Sequence, residues 1–259
     1  MKIGENEIFF TDTGGDKPAL LMVHGIMMSH AVWKNQVTEF ADTHRVVAVD
    51  LRGFGASTTT NPETTFEEHR DDLIAIVDAL GLRDVSFIGW SMGGAIGQIV
   101  AAQNGSQFRQ FVFVDTTPQL IADDAFAHAL PGEAAQQLGG FLTQDFAAGC
   151  GAFCTMIAPE NVQVAEQLTA IAAATDVGVA MTAFGTAGAR NQLAELSQIN
   201  APTSIICGRN DAICFPAASE MMAQTIPGCR AGVTWIEHAG HAPFLTQPDA
   251  FNAALREII

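Results

Sequence analysis

The chain has 259 residues, of which 48% are apolar and 15% charged. That composition excludes intrinsic disorder, and the length allows one large core with an insertion. Its formal charge of −16, with only 12 Lys and Arg, repels phosphate backbones and anionic lipid surfaces, so neither nucleic acid nor a membrane is an expected partner. The start MKIGENEIFF lacks the basic start and apolar run of a signal peptide, and no apolar stretch is long enough to span a bilayer. Cys150, Cys154, Cys207, Cys214 and Cys229 are odd in number and irregularly spaced. They read as small buried apolar residues rather than a disulfide framework or a metal site, so no metal and no cofactor is expected and a cytoplasmic location fits.

In chain order, EIFFTDTG reads as an early strand and ALLMVHG as a fully apolar strand of a parallel sheet. AVWKNQVTEFADT has helical spacing, with Val32, Trp33, Val37 and Phe40 toward the core. RVVAVDLRG is the next strand, and EEHRDDLIAIVDALGL is a helix with an acidic start suited to the dipole and Gly81 as its stop. VSFIGW is a strand, MGGAIGQIVAAQNG a helix and FVFVDT a strand. Residues 117–198 break the rhythm: they are rich in Ala, Gly and Gln, with helical pieces and no clear strand. TSIICG, PAASEMMAQTI, GVTWIEH and QPDAFNAALREII then restore the alternation of strand and helix. The alternation predicts an α/β sheet over residues 1–116 and 199–259, interrupted by a helical insertion at 117–198.

Gly89-Trp90-Ser91-Met92-Gly93 is G-x-S-x-G between a predicted strand and a predicted helix. A serine at such a turn projects from the sheet, the flanking glycines relieve crowding, and the helix N-terminus supplies N–H groups for a developing oxyanion. A serine hydroxyl needs a base, usually a His steered by a carboxylate. Asp211 and His241 both follow predicted strands, on the same sheet edge as Ser91 and in the chain order the nucleophile elbow requires. His241 is expected over His238, which precedes the Ala-Gly turn, and Asp211 over Asp115, which also ends a strand. Met92 and Ile26 N–H are the expected oxyanion donors. His24 reads as a structural residue bonding the loop backbone.

With HGIMMSHAVW, VDLRGFGAS, GWSMGG, GRNDAICFP and HAGHAPFLTQPDAF, the chain resembles the α/β-hydrolase-fold serine hydrolases from His24 to Phe251, the insertion aside. Within that family it is similar to the small carboxylesterases, enol-lactonases and pimeloyl methyl-ester esterases. The resemblance implies a mostly parallel eight-stranded sheet flanked by helices, with an inserted helical lid. In the turn VDLRGFGAS, Arg52 and Gly53 read as structural. Haloalkane dehalogenases and epoxide hydrolases carry Asp where this chain has Ser91, and related epoxide hydrolases use lid tyrosines, whereas this chain has none. Perhydrolases share the triad, so peroxide chemistry is a conceivable side activity.

The insertion offers Phe126, Leu130, Leu138, Phe141, Phe146, Phe153, Met156, Met181 and Phe184 for packing and pocket lining, of which Phe141 and Phe184 are taken as substrate contacts. Met27, Met28 and Trp90 adjoin the catalytic loops and are further pocket candidates. Arg190 is the insertion's only Lys or Arg, against eight acidic residues from Asp123 to Glu195. That balance disfavours an acidic carrier protein or a dicarboxylate, although Arg190 could hold one carboxylate. The expected activity is therefore hydrolysis of a neutral, largely apolar ester or lactone through an acyl-enzyme. The competing readings are carbon–carbon hydrolysis of a diketone and a hydrolase-fold ligand receptor with slow turnover. Oligomeric state is left open.

Overall fold

The computed structural model describes residues 1–259. An apolar strand buried on both faces must be covered by helices on both sides, and the chain meets that demand by alternation. A two-stranded ribbon, β1 (Lys2–Ile3) and β2 (Asn6–Glu7), precedes β3 (Phe10–Asp12), β4 (Ala19–Val23), α1 (Lys34–Phe40) and β5 (Arg45–Val49). Then come α2 (Phe66–Ala79), β6 (Ser86–Trp90), α3 (Met92–Asn104) and β7 (Gln110–Val114). Five helices occupy the insertion: α4 (Gly132–Gln144), α5 (Phe146–Ile157), α6 (Val162–Ala172), α7 (Val177–Ala189) and α8 (Leu193–Leu196). The chain closes with β8 (Thr203–Gly208), α9 (Pro216–Thr225), β9 (Cys229–Ile236), α10 (Pro243–Thr246) and α11 (Pro248–Ile258).

The main sheet has the order β3-β5-β4-β6-β7-β8-β9. Only β3 runs antiparallel to its neighbour. The fold class is the expected one. The continuous sheet holds seven strands rather than eight, because β1 and β2 fold back on each other around Gly4 (φ 60°) and pair with nothing else. Every residue of β4 and β6 is buried, as central strands covered on both faces require.

Each predicted helix forms, and the caps explain where. Thr65 accepts from the Glu68 N–H while the Glu68 carboxylate accepts from the Thr65 N–H, a capping box that starts α2. Gly81 adopts φ 58° just beyond its end. Trp33, Phe40 and Val32 are buried as expected, while Val37 is only half-buried. Gln36 is fully buried on α1, donating to the Phe244 carbonyl (3.0 Å) and Asn252 Oδ1 (2.9 Å), and so ties α1 to the C-terminal helices.

The insertion contains no strand beyond two isolated bridges, Gln119↔Asn191 and Ile121↔Leu130. Its core residues Leu142, Phe153, Leu168 and Ala180 join the same buried cluster as the sheet. All five cysteines are buried and unpaired. No single helix is long and apolar enough to cross a membrane.

Arg52, expected to be structural, makes a bidentate pair with Asp72 (2.9 and 2.7 Å) and reaches Glu68 (3.2 Å). The pair locks the loop after β5 to α2, and burial leaves the Asp72 carboxyl dependent on that partner. Replacing Arg52 by Leu strands a buried carboxylate, so Arg52→Leu should lower unfolding free energy by about 3 kcal/mol in urea titrations.

Candidate active site

Ser91 stands alone between the last residue of β6 and the first of α3. Its backbone sits at φ 54°, ψ −119°, a conformation that L residues adopt only when the surroundings impose it. Three bonds hold it there: the Ser91 N–H donates to the Val114 carbonyl (3.0 Å), and the Thr116 hydroxyl (2.7 Å) and the Ala95 N–H (3.0 Å) donate to the Ser91 carbonyl. Glycine is required around it because backbone approaches backbone. A Cβ on Gly89 would lie 2.6 Å from the Gly93 carbonyl oxygen, and one on Gly93 would lie 2.5 Å from that of Val23.

The three chemically paired side chains come from three strand ends. Ser91 follows β6 directly, Asp211 lies in the turn after β8, and His241 lies in the loop after β9. The Ser91 hydroxyl is 2.9 Å from His241 Nε2, and His241 Nδ1 is 2.8 Å from Asp211 Oδ2. A carboxylate facing Nδ1 fixes the neutral ring with its proton there and leaves Nε2 to accept from the serine. Asp211 is held in turn by the N–H groups of Ile213 (2.8 Å) and Cys214 (3.0 Å) on its other oxygen. His241 and Asp211 are both buried.

The alternatives sort out by geometry. His238 is exposed and in left-handed backbone (φ 61°), before the turn that brings His241 inward. Asp115 is fully buried, but its Oδ1 accepts from the Gly208 N–H (2.8 Å), tying β7 to β8. Burial, and then the neighbouring Asp211, push the Asp115 carboxyl well above the usual range, which favours its neutral acid form. His24 bonds loop backbone as expected: Nδ1–H donates to the Gly25 carbonyl (2.7 Å), and Nε2 accepts from the Leu51 N–H (2.9 Å).

A cavity of about 560 Å³, including its mouth to solvent, opens over Ser91. Ile26 and Met92 line it beside Ser91. The Ile26 N–H donates to no backbone acceptor, and Met92 is the first residue of α3, where an N–H has no intrahelical partner. The insertion contributes Leu130, Leu138, Phe153 and Phe184 to the lining, the last of them one of the expected substrate contacts.

The other four expected substrate contacts are elsewhere. Met27 and Met28 are buried in the core, because the Met28 N–H turns back to the Gly25 carbonyl and Met27 takes φ 59°. Trp90 is buried beneath the site, where its indole N–H donates to the His241 carbonyl (2.7 Å) and its ring packs on His241 and Phe244. It supports the histidine loop and does not line the cavity. Phe141 is 42% exposed, since the inward face of α4 runs through Leu138 and Leu142.

Sequence reasoning missed Phe66, Ile213 and Cys214 as lining residues. It also missed the hold of the insertion on the histidine loop. The Gly240 N–H donates to Glu160 (2.7 Å), and the His241 N–H donates to the Ile157 carbonyl (3.0 Å). No local pattern announces those bonds. Ile213 and Cys214, by contrast, sit two and three residues after Asp211 and were accessible from that position.

The chain matches the family described as alpha/beta hydrolase fold over residues 18–248. It belongs to that family. It is 30% identical over 246 residues to a pimeloyl-[acyl-carrier protein] methyl ester esterase of Nitrosomonas europaea, covering 93% of this chain and 95% of the relative. It is 26% identical to 3-oxoadipate enol-lactonase 2 of Acinetobacter baylyi, covering 94% and 89%. Among solved structures, an esterase from Exiguobacterium antarcticum superposes with a TM-score of 0.91 at 19% identity, covering 97% and 95% of the two chains.

Two predictions follow from the buried histidine frame and the glycine contacts. Burial holds His24 down at about 4 and His69 at about 3. Both pKa values are depressed relative to the unfolded chain, so their contribution to stability is present above about pH 6.5 and is lost as pH falls toward 4. Urea unfolding at pH 5 should show a loss of on the order of 2 kcal/mol per histidine relative to pH 7, and His69→Leu should flatten that dependence. Gly93→Ala, forced against two backbone carbonyls, should cost about 1–3 kcal/mol in the same titration.

Proposed function

We propose that this carboxylic ester hydrolase works through an acyl-enzyme on Ser91, with a neutral, largely apolar ester or lactone as substrate. The observation that carries the reading is the unbroken chain from the Ser91 hydroxyl through His241 to Asp211, set at the floor of an apolar cavity.

The steps follow from the contacts. His241 Nε2 takes the proton as Ser91 Oγ attacks the ester carbonyl. The Ile26 and Met92 N–H groups receive the oxyanion, and each such donor is worth about 3 kcal/mol in the transition state. Asp211 orients the ring and stabilises the imidazolium, which then protonates the leaving alcohol. In the second half His241 activates water, and the tetrahedral collapse frees Ser91.

Residues 117–198, which include helices α4–α8, serve as the lid that selects the substrate. Leu130, Leu138, Phe153 and Phe184 give that lid an apolar inner wall. Arg190 does not make the wall cationic, because its Nη1 is 2.7 Å from Glu67 and its Nη2 is 3.8 Å from Glu195. A dianionic acyl group therefore finds no net positive charge there.

Ser91→Ala should melt like the parent protein yet lose about 10⁴-fold or more in kcat on p-nitrophenyl esters. Retained turnover in that variant sinks the assignment. A p-nitrophenyl ester series of graded chain length, run beside simple lactones, should show a rate optimum at the chain length that fills the cavity, and a carboxylate-terminated ester should be a poorer substrate than its uncharged counterpart.

A further inference from the structure

A base that passes a proton in both halves of the reaction proposed above needs a fixed ring, yet the backbone that carries His241 is irregular. Residues 237–242, between β9 and α10, belong to no helix or strand, so their peptide groups must find partners elsewhere. The sheet domain supplies donors. The Asn210 N–H, next to Asp211, donates to the Ala239 carbonyl (2.9 Å), and the indole of Trp90, next to Ser91, donates to the His241 carbonyl (2.7 Å). The insertion supplies acceptors. Glu160 Oε1 accepts the Gly240 N–H (2.7 Å), and the Ile157 carbonyl accepts the His241 N–H (3.0 Å).

The two acceptors differ in kind. Ile157 ends α5, and a carbonyl in the last turn of a helix has no intrahelical partner, so this acceptor comes with the helix. Glu160 is an exposed residue between α5 and α6, and ordering its side chain costs entropy that no core packing offsets. Its backbone is fixed from both sides. The Ala158 N–H closes α5 on the Cys154 carbonyl (3.1 Å), and Pro159 locks the next φ. The Asn161 N–H donates to the Ala158 carbonyl (3.1 Å), and the Asn161 side chain caps α6 by accepting the Val164 N–H (3.2 Å). The turn thus presents the carboxylate to one peptide, the one that precedes His241. The fit is close: a Cβ on Gly240 would lie 2.9 Å from Glu160 Oε2 and 3.1 Å from both the Ile157 carbonyl oxygen and Pro159 Cδ.

We infer that Glu160 is a positioning residue for His241: it holds the Gly240 peptide and so sets where the imidazole stands between the Ser91 hydroxyl and Asp211. Glu160 does not line the cavity and acts only through the backbone of its neighbour. The inference rests on the assignment of His241 as the base of an acyl-enzyme reaction. What the Gly240 N–H requires is an acceptor oxygen at the right reach, and an amide oxygen meets that need as a carboxylate does. His241 serves acylation and deacylation alike, so a displaced ring slows both steps together. Turnover then falls while KM stays, because the pocket wall is unchanged.

The test compares Glu160→Ala, Glu160→Gln and Glu160→Asp in p-nitrophenyl ester hydrolysis, well below the melting temperature of each. Glu160→Ala should lose about 10- to 100-fold in kcat, the scale of a misplaced catalytic group, with KM changed less than about twofold. Glu160→Gln keeps an oxygen at the same reach and should restore kcat. Glu160→Asp keeps the charge but is one methylene short, and should behave like the alanine variant. Asp145→Ala removes the cap at the far end of α5, weakening the insertion away from His241, and should keep the parent's kcat. A readout independent of turnover is the proton on His241 Nδ1, bonded to Asp211. Its downfield NMR resonance should be sharp in the parent and in Glu160→Gln and broadened by exchange in Glu160→Ala. Parent-like kcat or an unchanged resonance in Glu160→Ala, failure of glutamine to restore activity, restoration by aspartate, a loss carried by KM, or an equal loss in Asp145→Ala overturns the positioning role. An inactive parent, or a Ser91→Ala protein that still turns over, defeats the hydrolase reading instead, and the resonance then decides the role of Glu160 by itself.

Discussion

The left-handed backbone at Ser91 is the constraint on which the site depends. A serine at φ 54° between a buried strand and a buried helix has its side chain thrust out of the sheet, where the chain would otherwise pass smoothly from β6 to α3. Such a conformation survives only because its surroundings over-determine it. Bonds from Ser91 to Val114 and from Thr116 to Ser91 clamp the peptide, and glycines at 89 and 93 let the strand, the helix and the neighbouring strand β4 approach one another at carbonyl contact distance. The same turn starts α3 at Met92, so the exposed hydroxyl and a free helix-terminal N–H arise from one backbone event.

Around that point the sheet supplies rigidity and the loops supply chemistry. β8 and β9 end on the same edge as β6, and the short reach from each strand end to Asp211 and His241 leaves little freedom for either side chain. Asp211 receives three hydrogen bonds, whereas its neighbour Asp115 receives one. Burial and the neighbouring Asp211 favour the neutral form of Asp115, which straps β7 to β8.

Much of this was legible in the sequence, because the signals were local. An apolar run broken by Gly-x-Ser-x-Gly, followed by helical spacing, specifies strand, elbow and helix within a dozen residues. The order of Asp211 and His241 after their strands was readable for the same reason. The pocket was not. Met27, Met28 and Trp90 adjoin the catalytic loops in the chain, yet a turn at Gly25 and a tight bond to the His241 carbonyl send them beneath the site. Phe141 fails for a different reason: only the packed helix reveals which of two adjacent apolar faces on α4 points inward. Which insertion residue meets which core residue depends on tertiary contacts between segments tens of residues apart, and no period within either segment encodes them.

The bonds from Gly240 to Glu160 and from His241 to Ile157 have an implication for how such proteins diversify. Here the end of α5 serves as a bracket for the backbone that carries the imidazole, and a side chain on Gly240 would run into Glu160 and Ile157. A chimera that borrowed a foreign cap would inherit a new pocket and, unless its own residues reproduced that bracket, a loosened histidine. In this chain, exchanging residues 117–198 would therefore also remove the bonds that bracket the backbone of Gly240 and His241.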